Sequence, residues 1–325
     1  MIDPLDSLTF SMHASRGGFA LLLGSGVSRA ATIPTGWEIV VDLLRKLAAV
    51  RGDSSNLDPA AWYQAEYGEE PKRFPFAGVP YDGSHLIARL GDYGAALERL
   101  QALVIVGAVW GEPHHQPMWQ KALERLAHPP HPPSSFSVPW ENCRLYPAIR
   151  LLYGAGIAAA ASAKFATLRG FFEVPARIET GESAPLVLVG WRNWVVDLNT
   201  LRSGLGQRYY VPLSEHFFTT LREPLRDFIP ADDEYERVFD LFEYLLGLTY
   251  IYYEDHQSGW FPPGRFVFKM SGTRGIRALA MAEADRLGPS WPVLQAGFFG
   301  GSPETFRKLD AALTAIIPEF RRMSF

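Results

Sequence analysis

The sequence contains little cysteine, no long apolar run and no excess of positive charge. Its single cysteine, Cys143, excludes an intramolecular disulfide and any zinc cluster built from cysteines alone. Because Cys143 begins an apolar helical pattern, we interpret it as a small buried side chain and not as a reactive thiol. No stretch reaches about 18 uninterrupted apolar residues, so we predict no membrane span. The first ten residues have no basic segment, which argues against a secretory signal and favours the cytoplasm.

The charge balance also limits the expected partners. The 325 residues include 31 Lys and Arg against 35 Asp and Glu, a net charge of −4 at pH 7. Nucleic-acid binding normally requires a basic face, so we expect no direct contact with nucleic acid. The hydrophobic content of 47% is typical of a globular protein. This length is sufficient for two domains with a large buried core.

The N-terminal segment predicts a strand, a tight turn and a helix. The apolar run "GFALLL" (18–23) is typical of a buried parallel strand. Gly24 and Gly26 follow it, and "WEIVVDLLRKLAAV" (37–50) has the apolar spacing of an amphipathic helix. Three prolines among glycines and charges over 69–83 indicate a boundary. We therefore expect two domains, over 1–76 and 77–325.

The second domain has a helical period almost throughout. The stretch 82–110 predicts two helices broken near Gly91, whereas "PLVLVGW" (185–191) predicts a second buried strand. Further helices are predicted over 112–127, 141–172, 212–229, 232–256 and 302–318. The expected fold is therefore mainly α, with a short N-terminal α/β unit that is Rossmann-like.

Two helical segments share a packing pattern. In "LGDYGAALERL" (90–100) and "SAKFATLRGFF" (162–172), a small residue, an aromatic residue and a leucine recur as in tetratricopeptide helix pairs. Two weak copies do not make an array. We interpret them as helical-hairpin packing, and a tetratricopeptide-like domain is the alternative.

The glycine turn after the first strand is suited to a phosphate group. Gly24 and Gly26 let main-chain N–H groups approach a ligand, and the helix N-terminus directs partial positive charge at it. Arg29 stands where the dinucleotide fingerprint has its third glycine, and no Walker lysine follows. The turn alone is therefore a weak signal.

The longer string "GSGVSRAATIPTGWEIV" (24–40) resembles the first βα unit of the sirtuin-like superfamily. It is most similar to bacterial sirtuin-like proteins of anti-phage defence, several of which hydrolyse NAD⁺. The segment "AWYQAEYGEEP" (61–71) also resembles the stretch after that helix in the family. The resemblance implies NAD as substrate or ligand, without zinc. The residues that it assigns to NAD binding are Gly24, Ser25, Gly26, Ser28, Arg29, Pro34 and Thr35.

The chain departs from the family at its catalytic motifs. Active members carry a Thr-x-Asn-[Tyr/Phe]-Asp strand end and a later His-Gly, and neither occurs here. The string "TIPTGW" (32–37) also lacks the residues that deacetylating sirtuins keep after the proline. The strands between these motifs are missing, as if the central catalytic sheet had been removed near 72–80. A single βα unit cannot cover its faces and edges, so we expect a homo-oligomer or a partner protein to complete the sheet. The alternatives are that the strand packs under the helical domain, or that the chain is a poorly folding deletion product.

Several polar residues invite a catalytic or metal-binding interpretation, and we favour a structural one for each. Adjacent histidines in proline-flanked loops lack the fixed spacing of a helical metal site, so no metal ligand is predicted. We interpret His216, Glu215 and Glu223 as the exposed face of an amphipathic helix, and the acids 232–234 as a helix start. The histidines interpreted as loop or helix-start residues are His85, His114, His115, His128 and His131.

The sequence thus supports one functional hypothesis and one alternative. The first is a sirtuin-like NAD-binding protein, related to NAD⁺ hydrolases of anti-phage defence, with impaired or absent catalysis. No residue is assigned to catalysis. The alternative is a non-enzymatic helical interaction or sensor module. A third class, a helix-rich enzyme with an unrelated site, has no motif in its support.

Overall fold

The computed structural model describes residues 84–129, 138–177, 182–192, 195–204, 211–254, 259–269 and 275–323, with isolated positions 58, 61, 62 and 65. The helices and strands below belong to the unit Phe76–Phe325. The predicted N-terminal α/β unit lies outside the described residues. That unit, and the division into 1–76 and 77–325, therefore stay predictions.

The described part of the chain is mostly helical, as predicted. Its first helices are α1 (Ser84–Trp110), α2 (Gln116–Ala127), α3 (Val138–Cys143), α4 (Tyr146–Ala161) and α5 (Phe165–Phe172). The strands β1 (Pro175–Arg177) and β2 (Ser183–Pro185) follow, and then α6 (Leu186–Arg192), α7 (Leu198–Gly204), α8 (Pro212–Thr220) and α9 (Arg222–Leu225). The last helices are α10 (Asp232–Tyr253), α11 (Phe266–Lys269), α12 (Ile276–Leu287), α13 (Pro292–Gln295) and α14 (Pro303–Met323). Short 3₁₀ turns occupy Pro113–His115, Gly288–Ser290 and Phe298–Gly301.

Helices α4 and α10 form the centre of this unit. Helix α4 packs against α1, α2, α5 and α10, while α10 also packs against α6, α12 and α14. Every residue of α4 from Tyr146 to Ala160 is buried, as expected for a helix that is apolar on nearly every side; Arg150 is the charged exception. Gly156 lets α10 approach closely, because a Cβ there would overlap the ring of Phe242.

The predicted break at Gly91 is wrong. Helix α1 runs without interruption for 27 residues, and Gly91 lies on its exposed side, where a Cβ atom would have no neighbour within 4 Å. A glycine inside a helix is less favourable than alanine by only about 1 kcal/mol. The packing of Leu86, Leu90 and Leu97 into the core outweighs that difference.

The predicted strand over 185–191 is also wrong. The only strands among the described residues form a two-stranded antiparallel sheet that pairs Pro175 with Pro185 and Arg177 with Ser183. The rest of the apolar run forms α6, which begins at Leu186. The first four residues of this helix are buried. A helix buried on all sides gives the same apolar run as a buried strand, so periodicity does not distinguish them.

Other helical predictions are confirmed. Helix α10 begins at Asp232, and the acids 232–234 occupy its first turn. The predicted helical range 141–172 contains α4 and α5, which pack against each other and are joined through residues 162–164. A tetratricopeptide-like arrangement stays a prediction. None of the described helices is long and apolar enough to cross a membrane.

Candidate functional site

The residues assigned to NAD binding by resemblance lie outside the described residues. This holds for all seven positions, which are Gly24, Ser25, Gly26, Ser28, Arg29, Pro34 and Thr35. Their proposed role therefore stays a prediction. The site described below lies in the helical unit instead.

Of the histidines that we interpret as loop or helix-start residues, His85, His114 and His115 are exposed and His128 is half-buried. His85 is exposed near the start of α1. His114 and His115 are exposed in the first 3₁₀ turn, with ring centroids 3.8 Å apart. His128 Nδ1 lies 2.8 Å from the Glu124 carbonyl oxygen at the end of α2. Among the residues that the structure describes, no three His, Cys, Asp or Glu side chains form a group that could hold a metal ion.

The interpretation of Cys143 as a buried side chain is confirmed. Its thiol is fully buried at the end of α3. Burial raises the pKa of the thiol to about 12. The thiol is therefore protonated at neutral pH, which makes it a poor nucleophile.

The placement of His216 on an exposed face is wrong. His216 is buried, and its Nε2 lies 2.7 Å from the hydroxyl oxygen of Tyr146. Burial, together with the positive charge of Arg150, lowers the pKa of His216 to about 4. The helix α8 is short and buried on most sides, so its polar residues do not mark a solvent-facing stripe. Glu223, in α9, is exposed as predicted.

Arg150 is a buried cation held by neutral groups. Its guanidinium donates to Thr220 Oγ1 at 3.0 Å and to the Tyr146 hydroxyl at 3.4 Å. The same network reaches His216 through Tyr146. His216 is neutral at pH 7, so it adds no second positive charge beside Arg150. The described contacts of this cluster join α4 to α8 without a carboxylate.

A second buried polar cluster surrounds Glu243, and sequence reasoning missed it. Glu243 lies in the middle of α10, and only 1% of its surface is exposed. Tyr153 of α4 donates its hydroxyl to Oε1 at 3.1 Å. The backbone N–H of Arg265 donates to Oε2 at 2.9 Å and is shared with Ser214 Oγ of α8 at 3.1 Å. The carboxyl group therefore joins four segments of the chain.

The chain approaches Glu243 closely at Gly264. A Cβ atom at this position would overlap the Glu243 carboxyl group. A glycine is therefore required for the N–H of the next residue to reach Oε2. The signal that could have found this site is one acid inside the apolar run "LFEYLLGL" (241–248), since an unpaired acid is rarely buried there.

The environment of Glu243 keeps it uncharged at neutral pH. Burial, reinforced by the negative charge of Asp240, raises the pKa of Glu243 to about 8, against the opposing hydrogen bonds from Ser214, Arg265 and Tyr153. A neutral carboxyl group both donates and accepts hydrogen bonds. Glu243 is too enclosed to reach a substrate, so it can act only by positioning its neighbours.

A small cavity lies beside this cluster. Its volume is about 50 Å³, and its wall includes Tyr153 and Ser214, both of which hydrogen-bond with Glu243. The other wall residues are apolar and come from the segments 195–198, 211–213 and 260–263. The cavity is much smaller than the roughly 300–1,000 Å³ of usual small-molecule sites, although it shares with them apolar walls, a few polar groups and a neighbouring residue of perturbed pKa.

Comparison of the chain with protein-family models, with curated proteins and with solved structures finds no match.

Proposed function

We propose that this protein is a sirtuin-like NAD-binding protein, related to the NAD⁺ hydrolases of bacterial anti-phage defence, with impaired or absent hydrolysis. The single observation that carries the proposal is the string "GSGVSRAATIPTGWEIV" at 24–40. Gly24 and Gly26 would bring main-chain N–H groups to the pyrophosphate, and the helix after them would direct its positive end there.

The loss of hydrolysis follows from the residues that are missing. No histidine in the chain precedes a glycine, and no asparagine stands in the Thr-x-Asn-[Tyr/Phe]-Asp context. Binding without these groups would leave NAD⁺ intact. A homo-oligomer or a partner protein would complete the parallel sheet that one strand over 18–23 cannot form alone.

Calorimetric titration with NAD⁺ tests this proposal. We expect saturable binding to the wild-type chain and its loss in Gly26→Trp, because the indole would fill the space of the pyrophosphate. Gly91→Trp is the matched control, since that position is exposed and has no neighbour within 4 Å of its Cβ position. No heat from a folded wild-type chain would overturn NAD⁺ binding. Release of nicotinamide, lost only in Gly26→Trp, would overturn the loss of hydrolysis.

The second candidate function is a non-enzymatic helical sensor module. The observation that favours it is the cavity beside the neutral Glu243, which lies wholly in the helical unit. Such a module needs neither NAD⁺ nor a completed sheet.

A further inference from the structure

The outward face of α1 carries two charged side chains that have no partner in the described part of the chain. Asp92 and Arg99 are both exposed, and neither forms a hydrogen bond or an ion pair with another described residue. They lie seven residues apart on the same side of the helix, which is two turns or about 10 Å. This separation is too long for them to pair with each other, so both are available to a partner.

The residues that alternate with these charges along the face are small. Alanine recurs every seven residues, at Ala88, Ala95 and Ala102. With the two charged residues between them, the spacing alternates between three and four residues, as in the seam of a coiled coil. Ala88 and Ala95 are exposed, and Ala102 is half-buried. Because the distance between two packed helices depends on the side chains at their contact, these alanines let a second helix approach closely.

The positions of the two charges fit a second copy of the same helix. The midpoint between the two charged residues falls between Ala95 and Ala96. If a second copy of α1 runs antiparallel across this midpoint, the Asp92 carboxylate of each copy meets the Arg99 guanidinium of the other. A parallel pair would instead place like charges side by side, which is unfavourable. The charge pattern therefore fits a two-fold pair, in which the same surface of each copy meets itself.

The C-terminal end of the same face is apolar. Trp110 is the last residue of α1 and is 61% exposed, and Val106, one turn before it, is half-buried. In an antiparallel pair these side chains reach the first turn of the other α1, because helix side chains lean towards the N-terminus of their own helix. Tryptophan is enriched at protein interfaces compared with the rest of the surface. The second copy would therefore cover the most exposed large apolar side chain among the described residues.

We propose that two copies of this chain associate through the outward face of α1, in an antiparallel pair with two Asp92–Arg99 ion pairs at its centre and one Trp110 at each end. A partner of different sequence would have to present the same charges in the reversed order, which a second copy supplies by symmetry. This face is separate from the strand predicted over 18–23. The proposal therefore depends neither on NAD⁺ binding nor on completion of the N-terminal sheet.

Analytical ultracentrifugation of the full chain and of charge-reversed variants tests the pairing. We expect the wild-type chain to form dimers. Asp92→Arg and Arg99→Asp each place two pairs of like charges in the interface, so each variant alone should dimerise at least about 10-fold more weakly. A mixture of the two variants restores both pairs of opposite charges. It should therefore form a heterodimer that is as strong as the wild-type dimer.

Matched controls separate this interface from a general effect of charge or folding. Arg286→Asp makes the same charge change as Arg99→Asp at an exposed position of α12, and it should leave dimerisation unchanged. The double variant Asp92→Arg with Arg99→Asp should dimerise as the wild-type chain does. Because the substituted side chains are exposed, every variant should keep the wild-type circular dichroism spectrum. Added salt should weaken the wild-type dimer, since exposed ion pairs are screened.

Trp110→Ala tests the apolar ends of the interface without a change of charge. Tryptophan is prominent among the residues that carry most of the binding energy of an interface, so we expect dimerisation to weaken about 10-fold. Leu279→Ala is the control, because Leu279 is another exposed apolar residue, 44% exposed in α12. It should dimerise as the wild-type chain does.

Three outcomes would overturn the proposal. The first is a wild-type chain that stays monomeric up to its solubility limit. The second is an oligomer that is as strong in Asp92→Arg and Arg99→Asp as in the wild-type chain, which is the result expected if copies assemble through the N-terminal strand alone. The third is a mixture of these two variants that associates no more strongly than either variant by itself.

Discussion

The free energy of unfolding of the wild-type chain should fall between pH 6.5 and pH 8, and replacing Glu243 with glutamine should abolish most of this fall. In the folded chain the pKa of Glu243 is raised from 4.5 to about 8. Between these values the unfolded chain releases the proton and the folded chain keeps it. The free energy of unfolding therefore falls as the pH rises, by about 1.4 kcal/mol per pH unit. Glutamine is neutral throughout and can keep the hydrogen bonds to Arg265 and Ser214.

The titration of His216 determines the pH range in which the free energy of unfolding reports on Glu243 without a contribution from His216. Its pKa is lowered from 6.5 to about 4 in the folded chain, so its contribution is complete above pH 6.5 and is lost as the pH falls towards 4. Between pH 4.5 and 6.5 the free energy of unfolding rises with pH through His216 and falls with pH through Glu243. Above pH 6.5, of these two contributions, that of Glu243 alone still changes with pH. The expected loss over this upper range is about 2 kcal/mol.

Urea unfolding followed by the helical circular dichroism signal, at pH steps from 6.5 to 8.5, measures this effect. His216→Gln is the control, and it should keep the slope of the wild-type chain above pH 6.5. Equal slopes in the wild-type chain and Glu243→Gln would show that Glu243 is already ionised in the folded chain.

Replacing Arg277 should cause the second large change, a loss of folding stability. Asp310 of α14 is only 2% exposed. Arg277 of α12 donates to both of its oxygens, at 2.7 and 2.6 Å, and the Tyr244 hydroxyl donates at 2.8 Å. Arg277→Met would leave a buried carboxylate without a cation, which typically lowers stability by about 3–5 kcal/mol. Because the Arg277 side chain is 35% exposed, we expect a loss near the lower end, about 3 kcal/mol.

A second arginine–aspartate pair between the same two helices supplies a matched control. Arg307 of α14 contacts Asp285 of α12 at 2.8 Å, but both side chains are more than half exposed. Arg307→Met should therefore change the free energy of unfolding by at most about 1 kcal/mol. The double variant Arg277→Met with Asp310→Leu should recover most of the loss caused by Arg277→Met. Similar losses for Arg277→Met and Arg307→Met in urea unfolding would contradict this account.

Helical periodicity predicted the elements of the described unit better than it predicted their interruptions. The acids 232–234 before an apolar period correctly placed the start of α10. The same reasoning wrongly predicted a break in α1 at Gly91. The low helix propensity of glycine, about 1 kcal/mol below that of alanine, is outweighed by the packing of the whole helix. It also assigned a strand to 185–191, because an apolar run carries no period when every side is buried.

The candidate site was much harder to predict than the fold. Glu243 and His216 look like surface residues when each is judged by its polarity. Their burial depends on partners that are distant in sequence, since Tyr153 is 90 residues from Glu243 and Tyr146 is 70 residues from His216. No local pattern contains these pairings. A lone acid in an apolar helical run was the only sequence signal for the site.

The measurement that most directly tests the central claim, a neutral Glu243 inside the helical unit, is an infrared difference spectrum. The spectrum of the wild-type chain minus that of Glu243→Gln should show the carbonyl band of a protonated carboxylic acid at pH 7, and this band should disappear above pH 8. A difference spectrum that contains only carboxylate bands at pH 7 would contradict the claim, because Glu243 would then be ionised in the folded chain.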